Sequence, residues 1–537
     1  MITIPQVMED RNAMKYYGIT NGGFTRGMNS DPYAGNGFQI AQNVIRKNGL
    51  INKLSGDSLL HDFGDDVQPL KIEEYQKADG DFQILVWIKE SGGAIKLRAI
   101  EEDGTVVTPS GGAGDLDWVQ EQLSYEQISL TGYCASEGVS TVHTWDGTTL
   151  TSIATTSSFL YALGREGRSL TSLTGGNANF SRSDENPITS MSGGATVFTN
   201  GEYSPNISGS PVGIYSSSTG TLIAYNSGLE LHQKNEYDDG SGIRAETRVK
   251  TFQYKGEGID NKEKLTIGNY YIYLLTGKGI IQVDPVTGKQ RNLLDEDDKD
   301  KSFRIREYFD LFDKQNVSLA YDPEQEMVIA TMSTTGTGVN DICILYNEVN
   351  GDFYVRKGAY KTIGVVNRSV YAGSSVDGKV FRVFDSGTKS DAFGDILRTR
   401  LVSEWDAVSS MGRVTLPLDF FVFFSAVNTS SIILNLYVNG NTETPAMTIS
   451  YNSEDIDDTS SLIGAYGNYT LGIGKSDDDS FADVYTKGQF LEPFHTYCWE
   501  IIEDSIEDFS LNDVVLEYGQ LEEIPQTKTF SKSLFTI

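Results

Sequence analysis

Between Ser318 and Thr399 the chain alternates short strand-forming runs with turn signals, and this alternation restricts the fold more than any other feature. The runs read SLAYDPEQEMVIATMS, DICILYNEVNGDFYVRKGAY, RSVYAGSSVDGKVFRVFDSGTKSD and GDILRT. Ile342 to Tyr346 has the composition of a buried strand. Asn350-Gly351 is a hairpin signal, because both residues tolerate the consecutive positive φ angles of a tight turn. Asp377-Gly378 repeats that device ahead of Lys379 to Val383, and Asp322-Pro323 turns the chain before Met327 to Met332. Strand, turn, strand, turn in close succession predicts a series of antiparallel meanders, the local pattern of β-propeller blades.

The same grammar runs through the earlier part of the chain. Lys71 to Ala99 reads as three strands separated by Asp79-Gly80 and Gly92-Gly93. Its run Phe82 to Ile88 is almost continuously apolar, which suits a strand covered on both faces. Strands are also predicted over Leu97 to Ile100, Ile128 to Cys134 and Thr141 to Trp145, with turns at Asp103-Gly104 and Asp146-Gly147. Arg168 to Ser192 is polar and turn-rich around two short strands; Gly220 to Leu231 and Leu265 to Val283 read as hairpins. Such units recur at intervals of roughly 45–60 residues, as blades of about four strands do, which gives about six units between residues 57 and 395. Lys299 to Phe312 is the one good helix candidate after the N-terminal segment, with the acidic run Asp295 to Asp298 placed favourably at its start.

At 537 residues the chain exceeds one ordinary compact core unless that core is spread over repeats. Residues 1–56 are glycine-rich and read as an arm that the propeller or a neighbouring subunit must tie down. Residues 57–397 are assigned to the propeller. Residues 398–525 carry longer apolar strands with polar, Asp-rich connections, the pattern of a β-sandwich-like domain. Residues 526–537 form a tail in which basic and apolar residues alternate, suited to pairing as an added strand. The expected fold is therefore all-β: a β-propeller with an extended N-terminal arm and a C-terminal sandwich-like domain.

A formal net charge of −31 argues against sequence-specific nucleic-acid binding, which needs cations to displace counterions. It does not argue against DNA passing nearby, since an acidic wall gives a phosphate backbone nothing to hold. Cys134, Cys343 and Cys498 are widely spaced and fit neither a disulfide framework nor a zinc signature, which points to a reducing folding compartment. The N-terminus lacks the pattern of a signal peptide. Leu418 to Val427, the most apolar stretch, is too short for a transmembrane helix.

Motifs of catalysis are weak. The four histidines, His61, His143, His232 and His495, sit in no nucleophile-base context. With 74 acidic residues, proximity of two carboxylates carries no specificity for glycoside hydrolysis. TVHTWDGTTL (residues 141–150) departs from the sialidase-type box, so Trp145 reads as a packing aromatic. Asp295 to Asp300 and Ser476 to Asp479 lack EF-hand spacing and read as solvated loops. Gly111 to Asp115 and Thr335 to Gly338 lack the Lys-Ser/Thr of a P-loop and read as turns. No catalytic, cofactor-binding or metal-ligating residue is assigned.

Three stretches nevertheless resemble a known family: NVIRKNGLINKLSG (Asn43 to Gly56), GGNANFSRSDENPITS (Gly175 to Ser190) and, most of all, YAGSSVDGKVFRVFDSGTKSDAFGDILRTRLVSEW (Tyr371 to Trp405). In the last, a final blade hairpin leads through an Asp-rich turn into a sandwich strand. Together they resemble the tail nozzle or tail hub proteins of short-tailed bacteriophages (podoviruses), the family of tail tubular protein B and the DNA-stabilising head-completion hub. The resemblance spans roughly residues 40–60 and 170–410, in pattern rather than in invariant side chains. It implies a structural, non-enzymatic virion protein, made in the host cytoplasm and assembled into the tail. The implied assembly is a hexamer below the portal and adaptor that retains packaged double-stranded DNA, lets it pass without sequence-specific binding, docks fibres or a plug, and can contact the host envelope. No cofactor comes with the family. The competing readings are a glycan-binding or glycan-degrading propeller, with Trp87, Trp118, Trp145, Trp405 or Trp499 as stacking platforms, and a generic propeller scaffold for protein partners.

Overall fold

The computed structural model describes residues 13–17, 38–47, 50–110, 121–136, 141–154, 160–166, 169–174, 179–182, 211–217, 220–238, 244–294, 309–403, 406–407, 415–426, 431–452, 468–472, 482–488, 496–505 and 509–520. These residues are overwhelmingly β. Seven antiparallel meanders follow one another along the chain, six as separate small sheets and one as the edge of a larger sheet, where the sequence pattern predicted about six. The first comprises Val67–Gln76, Phe82–Glu90, Ile95–Glu101 and Val106–Val107. The second comprises Leu123–Ile128, Thr131–Ser136, Thr141–Trp145 and Leu150–Ala154; the third, Leu160–Glu166, Ser169–Thr174 and Asn179–Arg182. The fourth runs Pro211–Ser217, Gly220–Tyr225, Gly228–Asp238 and Arg244–Lys255; the fifth, Leu265–Ile267, Ile272–Thr276, Gly279–Val283 and Gln290–Asn292. The sixth is Leu319–Asp322, Met327–Met332, Ile342–Asn347 and Phe353–Lys357. The seventh is Tyr360–Val366, Ser369–Ser374 and Lys379–Asp385, completed on its outer side by Gly56–Asp62 from the start of the chain.

Middle strands such as Phe82–Glu90, Ile272–Thr276 and Met327–Met332 are buried along nearly their whole length. Both faces of each sheet must therefore be covered, and they are covered by the neighbouring sheets. Ile72, Ile84, Val86 and Ile100 of the first meander pack on Val366, Tyr371 and Val380 of the seventh. Leu85, Trp87 and Leu97, on the opposite face, meet Leu123, Cys134, Trp145 and Leu150 of the second. Ile128, Tyr133 and Val142 meet Leu163 and Leu170 of the third. Leu222, Leu229 and Leu231 of the fourth pack on Leu265, Ile272 and Leu274 of the fifth. The largest cluster joins the fifth, sixth and seventh meanders to the C-terminal strands. Each enclosed aliphatic or aromatic side chain contributes about 1.5–3 kcal/mol relative to exposure. The third and fourth meanders touch through their first strands, where the Arg165 amide donates to Ser216 Oγ at 3.0 Å.

The remaining strands form two larger sheets that begin inside the arm. The sixth meander continues past Phe353–Lys357 through Phe38–Gln42, in parallel at Gln42 and Val355, into Thr399–Ser403, Thr496–Glu503, Ser431–Val438 and Met447–Asn452. The second sheet is ordered Val44–Lys47, Leu50–Lys53, Phe509–Gln520, Thr415–Ala426, Ala482–Gly488 and Asn468–Gly472, with Ala13–Tyr17 on Phe509–Gln520. Ile51, Phe509 and Leu511 of this sheet share a core with Leu434, Trp499 and Ile501 of the first. The arm is thus tied to the C-terminal strands over residues 38–53 and to the seventh meander over residues 56–62.

Turn chemistry corrects several local expectations. Ile128 to Cys134 is not one strand: a turn at Ser129-Leu130, with Ser129 at φ 55°, divides it. At Asn350-Gly351 only the glycine has positive φ; the turn is set by Asn347, whose Oδ1 accepts from the Val349 and Asn350 amides at 3.0 Å. The two-residue turn with consecutive positive φ is Asn367-Arg368. Gly378 is required by space: a Cβ there would lie 2.4 Å from Gly64 O. Of the helix predicted over Lys299 to Phe312, residues 299–308 lie outside the described residues, and Phe309 and Asp310 are helical.

One device recurs at the end of the third strand. Asp103 caps the Thr105 amide, Asp146 those of Thr148 and Thr149, Asp284 those of Val286 and Thr287, Asn347 those of Val349 and Asn350, and Asp385 that of Gly387. A side-chain acceptor two or three residues ahead of otherwise unpaired amides fixes each turn. Hydrogen bonds from those turns hold the Asp103 and Asp284 carboxyls below the ordinary value, Asp385 is lowered first by the Ser58 hydroxyl and then by its own turn, and Asp146 is lowered despite its partial burial.

Candidate functional site

The first strands of the meanders lie against one another, and polar side chains from five meanders converge where they meet. Alternation along Val67–Gln76 puts Lys71 and Glu73 on one face; in Leu123–Ile128 it does the same for Ser124 and Glu126. A 3-10 turn, Lys262–Lys264, capped by Asn261, enters from the fifth meander. Lys71 Nζ lies 2.7 Å from Glu73 and 3.0 Å from Glu263. Lys262 Nζ donates to Ser124 Oγ at 2.8 Å, and Tyr215 Oη donates to Lys262 O at 2.7 Å. Ser216 Oγ donates to the Arg165 carbonyl at 2.9 Å and lies 3.5 Å from Glu126 Oε1. The Arg165 guanidinium donates to Gln127 O at 3.1 Å. The first and second meanders are thereby cross-linked to the entry of the fifth.

Burial pushes the Glu126 carboxyl up to about 8; Glu73 adds to the effect, and Arg165, Lys262 and Lys71 oppose it. A neutral carboxyl at pH 7 can donate as well as accept. Burial works against the charge on Lys71, but Glu263 and Glu73 outweigh it and hold the amine above its ordinary range. Lys262 moves the other way, lowered by burial and by Lys71. A serine hydroxyl beside a lysine of lowered pKa has the composition of a Ser–Lys nucleophile pair. Here Ser124 is 5% exposed and Lys262 is 7% exposed, so the pair is an interior cross-link rather than a group presented to substrate.

Two further charged seams lie along the arm. Arg356 sits 2.6 Å from Asp57, and Tyr360 Oη donates to the same carboxylate, all three side chains being buried. Burial raises the Asp57 carboxyl, against the pull of Arg356. Lys53 lies 2.6 Å from Glu503, both side chains wholly enclosed, and also donates to Ser505 O. Burial raises Glu503 although Lys53 opposes it.

Few residues singled out by sequence enter these clusters. His143 is buried and its imidazole is pulled down to about 4 by that burial. His232 is buried 3.2 Å from Glu230, and His61 stands edge-on to Phe63. Trp87, Trp145 and Trp499 are fully buried, which removes them as glycan-stacking platforms and bears out the packing role read for Trp145. Trp118, Trp405, His495, Gly111 to Asp115, Asp295 to Asp300, Ser476 to Asp479 and the tail 526–537 lie outside the described residues. Thr335 to Gly338 is a turn, with Gly336 and Gly338 at φ 66° and 77°. Among the described residues no group of three or more His, Cys, Asp or Glu is placed to hold a metal ion, and no helix is long and apolar enough to cross a membrane. The Lys71–Glu126–Lys262 cluster was missed because its members come from separate segments; only the period-two spacing of Lys71/Glu73 and Ser124/Glu126 hints that each pair shares a face.

No family model matches the chain, and a search of curated proteins found no match. Among solved structures, the computationally designed Ika8 protein aligns at 8% identity and a TM-score of 0.34, covering 68% of this chain and 99% of that one. The extracellular domain of the B. thetaiotaomicron one component system BT4673 aligns at 11% identity and a TM-score of 0.38, covering 85% of this chain and 63% of that one.

Proposed function

We propose that the seven meanders are the blades of a seven-bladed β-propeller, that the two larger sheets form a β-sandwich-like unit beside it, and that the chain is a structural, non-enzymatic subunit of a short phage tail, the nozzle or hub. The observation that carries the reading is the route of residues 38–62. They sew the C-terminal sheets and the last blade into one continuous body, and they seal both seams with buried ion pairs. A tube wall needs this stiffness. On this reading the paired Lys71 and Glu263 and the paired Lys262 and Ser124 fill the centre of the blades, and DNA runs between subunits rather than through a propeller. The net charge of −31 suits a surface that DNA slides past. The test is imaging of the purified protein alone and after mixing with DNA-filled heads that lack it. Rings, or a new knob at one vertex with reduced DNA leakage, are the expected results. A protein that never docks on such heads overturns the assignment.

A further inference from the structure

The seam between the arm and the C-terminal sheets is closed by a lysine and a carboxylate, a combination that can also condense. Lys53, the last residue of Leu50–Lys53, belongs to one large sheet; Glu503, the last residue of Thr496–Glu503, belongs to the other. Lys53 Nζ lies 2.6 Å from Glu503 Oε2, and both side chains are at 0% exposure. The second carboxylate oxygen is held separately. Glu503 Oε1 accepts from the Ser505 amide at 3.0 Å and from the Ser505 hydroxyl. The Ser505 carbonyl in turn accepts from Lys53 Nζ at 2.5 Å. One oxygen is thus fixed by two donors while the other faces the amine, the polarity that favours attack on an acyl carbon. Thr399 adds an independent sign. It lies directly opposite Glu503 in an antiparallel pair, so the two side chains share a face. Its Oγ1 is buried without a hydrogen-bond partner, although buried hydroxyls are ordinarily satisfied. The other buried seam, Arg356 with Asp57, has in place of the amine a guanidinium that stays charged and is no nucleophile. Lys71–Glu73 and Lys77–Glu101 keep partial exposure, so water shields their charges.

In water an ammonium and a carboxylate do not form an amide, because each keeps its charge and water competes for the acyl carbon. Burial works against both obstacles. Enclosure penalises the two charges, and passing one proton from Lys53 to Glu503 removes both. Burial already raises the Glu503 carboxyl, against the pull of Lys53. Holding well-aligned reacting atoms together is equivalent to a concentration of about 10⁵–10⁸ M. We propose that Lys53 and Glu503 join in an isopeptide bond, formed once by the folded chain on itself. The ion pair is the reactant state. After the proton transfer, the Nζ lone pair attacks Cδ, and Oε1 takes up the charge between the two Ser505 donors. The Cδ–Oε2 bond then breaks, and Oε2 leaves as water with the transferred proton and a second one from Nζ. The remaining N–H keeps its bond to the Ser505 carbonyl, and Thr399 Oγ1 offers the departing water a partner. Nothing is oxidised or reduced. The product is a neutral amide that ties the two large sheets together and costs less to bury than two charges. The bond is independent of the tail reading.

Intact-mass spectrometry of the purified full chain, denatured in acid, reads the bond directly. The parent protein is expected to be one water lighter than its sequence. A tryptic digest should lack cleavage after Lys53 and should join its peptide to the one that holds Glu503. Lys53→Arg keeps the cation but cannot condense, and is expected at full mass. A parent protein at full mass overturns the proposal without recourse to any variant. So does a water loss that persists in Lys53→Arg or comes without the joined peptide, as a cyclised aspartate at an Asp-Gly turn would give. Ser505→Ala, which leaves the backbone amide in place, is expected to lose its water roughly 100-fold more slowly after synthesis. Loss at the parent's rate overturns the part given to the Ser505 hydroxyl.

Discussion

Replacing Lys53 by Met isolates the seam between arm and C-terminal sheets. Lys53 and Glu503 are 450 residues apart in sequence and 2.6 Å apart in space, with both side chains at 0% exposure. Removing one partner of a buried pair leaves the other charge unpaired, at a cost of about 3–5 kcal/mol. The Ser505 amide and hydroxyl still donate to Glu503, which places the expected loss toward the lower end of that range. The seam is one local part of a large chain, so hydrogen exchange, which reads opening segment by segment, is the appropriate readout. Amides of Leu50–Lys53 and Thr496–Glu503 should exchange roughly 100- to 1000-fold faster in the variant, since each ~1.4 kcal/mol is tenfold. The variant should also recover at low pH. Without Lys53, burial raises the Glu503 carboxyl further; the folded state then holds a proton the unfolded state has released, and stability rises as pH falls. Exchange within about threefold of the parent protein, or a loss independent of pH, would refute the argument that this pair closes the seam.

Glu126→Gln should behave as a near-isostere at neutral pH. Because the folded carboxyl titrates near 8 and the unfolded one near 4.5, the parent protein loses stability as pH rises between those values; the difference in melting temperature in favour of the variant should grow to about pH 8 and then level off. Gly258→Ala puts a Cβ 1.9 Å from Tyr225 O, where the fourth meander hands over to the fifth; a fall of several degrees in melting temperature, worth about 1–3 kcal/mol or more, is expected by calorimetry. Cys134, Cys343 and Cys498 are buried, and burial raises all three thiols, Cys343 and Cys498 to about 12. Native protein should therefore resist a thiol reagent at pH 8 and release three equivalents only on denaturation.

Strand composition made much of the repeat legible. Phe82 to Ile88 reads as a doubly covered strand and is one. Asp103-Gly104, Asp146-Gly147 and Thr287-Gly288 mark turns in which the glycine takes positive φ. What stayed hidden depends on partners far away in sequence. Gly378 resembles a hairpin glycine, but the backbone of Gly64 requires it. Asn367-Arg368 resembles no standard turn pair, yet it adopts the two-residue geometry because both flanking strands are held in register. Asn468–Gly472 and Ala482–Gly488 went unread because their surroundings are polar and Asp-rich. Likewise, nothing local announces that Lys262 will reach Ser124, or that Lys53 will be neutralised by Glu503.

The placement of residues 38–62 also sets a timetable for synthesis. Val44, Ile45 and Ile51 are buried in the finished molecule, but the strands that cover them include Phe509–Gln520. A ribosome adding roughly 5–20 residues per second needs about half a minute or more to travel from one to the other. Throughout that interval the nascent chain carries uncovered apolar segments near its leading end. The blades between can form in order as they emerge, but the clasp closes last, so a chain stalled or cut before Phe509 should be a client of chaperones rather than a shorter working protein.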